Sequence, residues 1–321
     1  MRIGIALPRQ PFIRLLTLDD KQLSKGHSLA VDADPEVRLV LDSVVRSFAT
    51  GYNTALATPR GTVSLTEMPH EFRGFAFEGA AMSRTLLDVI TLTRGRRLGE
   101  LACGPGQAYP HLIHVGAGWA FARLHISPWR MVRYGEPLLR WLAWDGLGFH
   151  QAYFHPRAVL LQHKLERVTS SSVRSIRDQG AGRALWFYTT AEPARIAEII
   201  GSFPSNRRPD LWAGIGLAAA YTGAQPPNRL SEVLDSAEGQ AAHVAQGAAF
   251  AAKAHLVSGQ VPPRSAAAIE TLTGADPETA AQWTDESLAE AARGDDSPAG
   301  YERWRAGIRR IWESQKRMCW P

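Results

Sequence analysis

The stretch Asp210-Leu211-Trp212-Ala213-Gly214-Ile215-Gly216-Leu217-Ala218-Ala219-Ala220-Tyr221-Thr222-Gly223 sets two glycines, two apart, inside what otherwise reads as a helix of small residues. Related blocks recur along the chain: Glu78-Gly79-Ala80-Ala81, Gly116-Ala117-Gly118-Trp119-Ala120, Gly146-Leu147-Gly148-Phe149, Gly180-Ala181-Gly182-Arg183 and Gly247-Ala248-Ala249-Phe250. The last glycine of each block falls at 79, 118, 148, 182, 216 and 247. That spacing, roughly 30 to 40 residues, is the period of stacked helical hairpins. Each glycine costs a helix roughly 1 kcal/mol of intrinsic stability, which is tolerated where another helix must pack close against that face. The residue four before the glycine lies one turn away on the same face. His114, Trp144, Asp178, Trp212 and His243 form that column.

The expected fold is all-α, a helical-repeat array of about six stacked hairpins. With Trp212, Gly216 and Tyr221 in that order and spacing, the quoted block resembles the first helix of a tetratricopeptide repeat. Residues 1–57 read as an N-terminal arm with a first amphipathic helix over Glu36–Ala57, entered from Asp34-Pro35. Residues 58–294 read as the helical-repeat domain. Helices are expected over Arg73–Leu92, His111–Leu124, Glu136–Phe154, Ser170–Tyr188, Pro193–Ile200, Asp210–Gly223, Ala237–Gly259 and Glu278–Arg293, with Gly95–Pro110 as a Gly/Pro-rich interruption. Residues 295–321 read as a C-terminal amphipathic capping helix, alternating Trp304, Ile308, Ile311 and Trp312 with Arg303, Arg305, Arg309 and Arg310.

Composition bounds the function. The 321 residues carry a formal charge of +5, spread along the chain without a Lys-rich run, which argues against a nucleic-acid partner. Two cysteines, Cys103 and Cys319, give no disulfide framework. The N-terminus has too short an apolar run for a signal peptide, and no run of about 18 apolar residues offers a transmembrane segment. A cytoplasmic location is expected.

The usual catalytic signatures are missing: no phosphate-binding GxxxxGK[ST] loop, no HExxH zinc pair and no GxSxG elbow. Gly104-Pro105-Gly106 has a proline between its glycines and no preceding apolar strand, a poor nucleotide loop. His111 and His114, three apart, could share a helix face as metal ligands, yet no DxxH or ExxH partner accompanies them. No metal and no cofactor is therefore expected. Glu78 stands among apolar and small residues, Gly74-Phe75-Ala76-Phe77-Glu78-Gly79-Ala80-Ala81-Met82. A desolvated carboxylate there suits a general acid or base, and its structural alternative is an ion pair with Arg73 or Arg84. The block Trp144-Asp145-Gly146-Leu147-Gly148-Phe149-His150-Gln151-Ala152-Tyr153-Phe154-His155 gathers an acid, imidazoles and aromatic rings. Asp145 and His150 read as proton-transfer groups beside an aromatic wall, or else the block is an aromatic stripe of the core. In Arg207-Arg208-Pro209-Asp210, Asp210 reads as a helix N-cap and Arg208 as a fork for a carboxylate or phosphate. Glu78, Asp145 and His243 are polar intrusions beside a seam that elsewhere takes small or apolar residues.

The blocks Arg73–Met82, His114–Ala120, Asp145–His150 with Tyr153-Phe154, and Phe203-Pro204 through Arg208–Ala218 together resemble the UnbL-type proteins encoded in enediyne antibiotic gene clusters of actinomycetes, over about residues 10–320. The resemblance implies bacterial secondary metabolism, in the maturation of an enediyne-type polyketide, and brings no catalytic residues with it. Joined to it, the residue reading gives a cofactor-independent cyclase or isomerase that encloses an apolar polyene. Glu78, Asp145 and His150 would transfer protons, and Trp119, Trp144, Tyr153, Arg208 and Trp212 would contact the substrate. The alternative is a non-enzymatic binding, carrier or scaffold protein of the same pathway, docking other biosynthetic proteins.

Overall fold

On a helix of 3.6 residues per turn, two glycines two apart point about 200° from each other, to nearly opposite sides. A G-x-G helix can therefore be approached closely by two neighbours at once, and this is how the chain uses the motif. The computed structural model describes residues 16–19, 34–128, 135–164, 170–237, 239–291 and 295–319; among these there are helices and no strand. The chain divides into two units, residues 1–25 with 42–147 and residues 26–41 with 148–321.

The helices of the first unit are α1 (Pro35–Ala57, from Asp42 onward), α2 (His70–Ile90), α3 (Arg96–Ala102), α4 (Pro110–Arg123), a 3-10 turn over Pro137–Trp141, and the start of α5 (Leu142–Phe154). A Cβ on Gly116 of α4 would stand 2.1 Å from the Glu78 carbonyl oxygen of α2. On Gly118 it would stand 2.1 Å from the Ala143 carbonyl of α5, and on Gly146 2.0 Å from the Val115 carbonyl of α4. The α4 backbone thus touches α2 on one side and α5 on the other. Residues 16–19 are tied to α1, with the Leu18 amide donating to Asn53 Oδ1 at 3.0 Å and the Tyr52 hydroxyl to the Leu16 carbonyl at 3.0 Å.

The second unit holds the end of α5, a π turn at Arg157–Leu161, and α6 (Ser171–Tyr188), α7 (Pro193–Ser202), α8 (Arg208–Thr222), α9 (Pro227–Ser236), α10 (Ala241–Val257), α11 (Pro263–Thr273), α12 (Pro277–Ala291) and α13 (Pro298–Cys319). The same pattern returns. Gly214 of α8 lies against the Gln179 carbonyl of α6, Gly216 against the Val244 carbonyl of α10, and Gly247 against the Ala213 carbonyl of α8, each with room for no Cβ. Helices α6, α8 and α10 each end in left-handed residues, Thr190 and Ala191, Gly223 and Gly259 respectively. A proline then opens α7, α9 and α11, where its fixed φ and missing N–H suit the first turn. The three following helices lie side by side, α7 with α9 and α9 with α11.

Three expectations need correcting. Gly95–Pro110 is not wholly irregular, because it contains α3, whose first amides are capped from a distance: Asp88 accepts from the Arg97 amide at 3.1 Å and the Leu98 amide at 2.9 Å. Asp210 is not the N-cap of α8; Arg207 holds that position, and Asp210 sits inside the first turn. On α13 the arginines do not all face water. Arg305 is 0% exposed and packs among the buried Tyr301, Trp304 and Ile308 side of the helix. No described helix is long and apolar enough to cross a membrane.

Candidate functional site

Helix α2 is buried continuously from Gly74 to Asp88, so Glu78 has no solvent face to occupy and is 2% exposed. Its Oε1 accepts a hydrogen bond from the Trp119 indole Nε1 at 3.0 Å. The Trp119 ring lies 4.5 Å from that of Phe48, between ring centroids. Arg73 and Arg84 do not form the expected ion pair: Arg73 donates to the Thr66 and Met68 carbonyls and Arg84 to the Gly61 carbonyl. Asp145, on α5, is 0% exposed and directly precedes Gly146 on the seam. His114 is buried, and its Nδ1 donates to the Pro110 carbonyl at 2.7 Å. That bond turns the ring to the helix backbone. Burial pushes the nearby Tyr52 phenol up, with the Arg123 charge opposing. Trp144 is half-buried.

In the second unit His150 is half-buried, with its ring 4.7 Å from Phe154. Tyr153 is buried and stacks on Phe149 at 5.7 Å. The Arg183 guanidinium lies over the Phe149 ring at 5.0 Å. Trp212 is buried in α8. Arg208 donates from Nε to the Phe203 carbonyl at 2.7 Å, and its neighbour Arg207 takes the fork role instead. Arg207 binds Asp178 with two bonds, Nε to Oδ2 at 2.8 Å and Nη2 to Oδ1 at 2.6 Å. Burial raises the Asp178 carboxyl, and the Arg207 fork pulls it back. Asp210 accepts from Arg305 Nη2 at 2.9 Å, and Arg305 Nε donates to Gln246 Oε1 at 3.2 Å. This chain of buried polar groups ties α13 to α8 and α10.

The same positional rule holds in each unit taken by itself. The residue directly before the first glycine of each block is Glu78 on α2, Val115 on α4, Asp145 on α5, Gln179 on α6, Ala213 on α8 and Gln246 on α10. The backbone contacts correspond one for one: Gly116 on Glu78 matches Gly214 on Gln179, Gly146 on Val115 matches Gly247 on Ala213, and Gly118 on Ala143 matches Gly216 on Val244. Across α8, the fully buried Gln179 and Gln246 side chains reach each other, Nε2 to Oε1 at 3.5 Å. In the first unit the same two register positions, either side of Val115, hold Glu78 and Asp145. The structure therefore sets these two predicted acids in matched positions of one unit, and His150 in the other. Sequence reasoning missed the Gln179–Gln246 pair and the Arg207 and Arg305 clamps. The glutamines had a readable signal, a polar residue just before a seam glycine.

Among the described residues no cluster of three or more His, Cys, Asp or Glu side chains is placed to hold a metal ion. Neither curated proteins nor solved structures give a match to the chain. A family model described as a protein of unknown function, DUF1702, matches residues 13–312, and the chain belongs to that family.

Proposed function

We propose that this protein is a tetratricopeptide-like helical-repeat array that works in bacterial secondary metabolism as a cofactor-independent cyclase or isomerase on an apolar, enediyne-type polyene. The pathway assignment rests on the resemblance of the motif blocks. The chemistry rests on one observation, that Glu78 and Asp145 hold the register positions that bring Gln179 and Gln246 to 3.5 Å in the second unit. Two desolvated carboxylates set across one helix are suited to moving a proton into a polyene at one carbon and out at another, one acting as acid and the other as base. Trp119 orients Glu78 through its indole N–H. Trp144, next to Asp145 on the same helix, supplies aromatic surface. The competing reading is a non-enzymatic carrier or scaffold. It is favoured by the near-complete burial of both acids on helices whose backbones touch.

The two readings separate on Glu78→Gln, which keeps an oxygen acceptor for Trp119 and removes the titratable proton. Purified protein is incubated with the linear polyene released by the polyketide synthase, and the chromophore and mass are followed. General acid–base catalysis predicts about 100-fold slower product formation with an unchanged unfolding midpoint. Undiminished turnover by a folded Glu78→Gln protein removes the acid–base role. Absence of turnover by the wild type, with retained polyene binding, selects the carrier reading.

A further inference from the structure

Arg84 lies on α2 and is 4% exposed. Its hydrogen bond runs from Nη2 to the Gly61 carbonyl at 2.7 Å. Arg97, at the start of α3, is equally buried, and its Nε donates to the Pro59 carbonyl at 3.2 Å. Two guanidinium groups are thus seated on carbonyls of one short loop, Pro59-Arg60-Gly61. The buried carboxylate of this corner, Asp88, is committed to Arg97 Nη1 at 3.3 Å, to the first amides of α3 and to the Thr93 hydroxyl. Residues 58–62 and 84–100 carry Arg60, Arg84, Arg94, Arg96 and Arg97 against two acids, Asp88 and Glu100. Glu100 is exposed and paired with Arg96. A buried guanidinium facing carbonyls, beside a second one, is a costly arrangement that an anion would complete. Burial and the Arg97 charge disfavour the Arg84 cation, and the Glu100 and Asp88 charges oppose them without reversing the shift. The adjoining turn is also strained: Leu92 and Arg94 have φ of 55°, in the left-handed region, and Leu92 is 72% exposed.

We infer that this corner of the first unit binds a phosphate group, with Arg84 as the principal contact, Arg97 behind it, and the exposed Arg60 and Arg94 at the rim. Guanidinium donors arriving from several directions suit the tetrahedral oxygens of a phosphate better than a planar carboxylate. The inference is independent of the proton-transfer reading, which uses Glu78 and Asp145.

The test is thermal unfolding of the full chain in rising inorganic phosphate, methyl phosphate or acetate, each against sodium chloride of matched ionic strength at one pH. Phosphate should raise Tm by several degrees and saturate, as a specific ligand does. Arg84→Met should abolish the rise. The doubly substituted rim variant Arg60→Glu/Arg94→Glu, both sites exposed, should fold normally and weaken the apparent affinity at least about tenfold. A rise with both phosphates assigns the site to a phosphate monoester of a larger ligand, and a rise with inorganic phosphate alone assigns it to the free ion. A Tm in phosphate no higher than in chloride overturns the inference, as does an equal rise in acetate. So does a rise in the rim variant that saturates at the same phosphate concentration as in the wild type. Should Arg84→Met not fold, the rim variant decides alone.

Discussion

The α2–α4–α5 and α6–α8–α10 triplets share one backbone register and differ in what they bury. In the second, the polar positions beside the seam are the amides Gln179 and Gln246, and the neighbouring acids Asp178 and Asp210 are clamped by Arg207 and Arg305. In the first, the same seam positions carry the carboxylates Glu78 and Asp145, and Glu78 accepts from an indole. The amides bond each other, and Gln246 also accepts from Arg305 and Arg309, all without ionising, so they can form a permanent internal strut. The first triplet buries carboxylates in the same frame, so one backbone register holds two different side-chain chemistries.

The sharpest way to break that contrast is to remove a clamp. Arg207→Met should destabilise the protein by about 3–5 kcal/mol, because Asp178 is left buried without its counter-charge. Pairing it with Asp178→Leu should restore most of the loss. Denaturant midpoints of the single and double variants check this, and additive losses would show that the pair is not a unit.

The seam itself should be equally intolerant in both triplets. Gly116→Ala and Gly214→Ala put a methyl about 2 Å from a neighbouring carbonyl oxygen. Either should cost about 3 kcal/mol or more, since backbone rather than a flexible side chain must move. Gly201→Ala on α7, with nothing within 4 Å of the new Cβ, is the control and should stabilise by about 0.5–1 kcal/mol. Equal effects at Gly116 and Gly201, measured by urea unfolding, would refute close packing at the seam.

How much of this was legible in the chain depends on the range of the signal. The glycine blocks announced a close-packed seam because a helix tolerates repeated glycine where a neighbour must approach its backbone, and Pro193 marked a helix start, whereas α9 and α11, which also open on prolines, were not anticipated. Helix α3 was hidden because its cap, Asp88, lies on another helix. Arg305 was misread because an amphipathic pattern assigns arginine to water, while its partners Asp210 and Gln246 come from distant helices. Arg208 and Arg207 are neighbours of the same type, and only the fold decides which one meets Asp178.

Acid should distinguish the triplets next. His243 of α10 is half-buried, with Nδ1 lacking a partner; burial, Arg309 and Arg305 lower its pKa from 6.5 to about 3, against the opposing charge of Glu302. The folded state thus binds this proton later than the unfolded chain. The His243 contribution is fully present above pH 6.5 and is lost as pH falls through the window from 6.5 towards 3. With its partial exposure the loss should reach about 1 kcal/mol by about pH 5. The counterpart on α5 is Leu142, which cannot titrate. Urea midpoints at neutral and mildly acidic pH should show His243→Leu to be less acid-sensitive than wild type; an unchanged difference would remove His243 as a cause.

The smallest effect is the most discriminating. Glu78→Gln with Asp145→Asn turns the seam of the first triplet into an amide pair like that of the second, at nearly constant volume. If the two triplets are one scaffold with exchangeable polar occupants, the doubly substituted protein should fold within about 1 kcal/mol of wild type, because matched amides bury without charge. A loss several times larger would mean that the carboxylates are held by charged partners and serve as clamps, as Asp178 does. That outcome would move the chemistry away from this seam, whereas near-constant stability is the result that the proposed proton-transfer role requires.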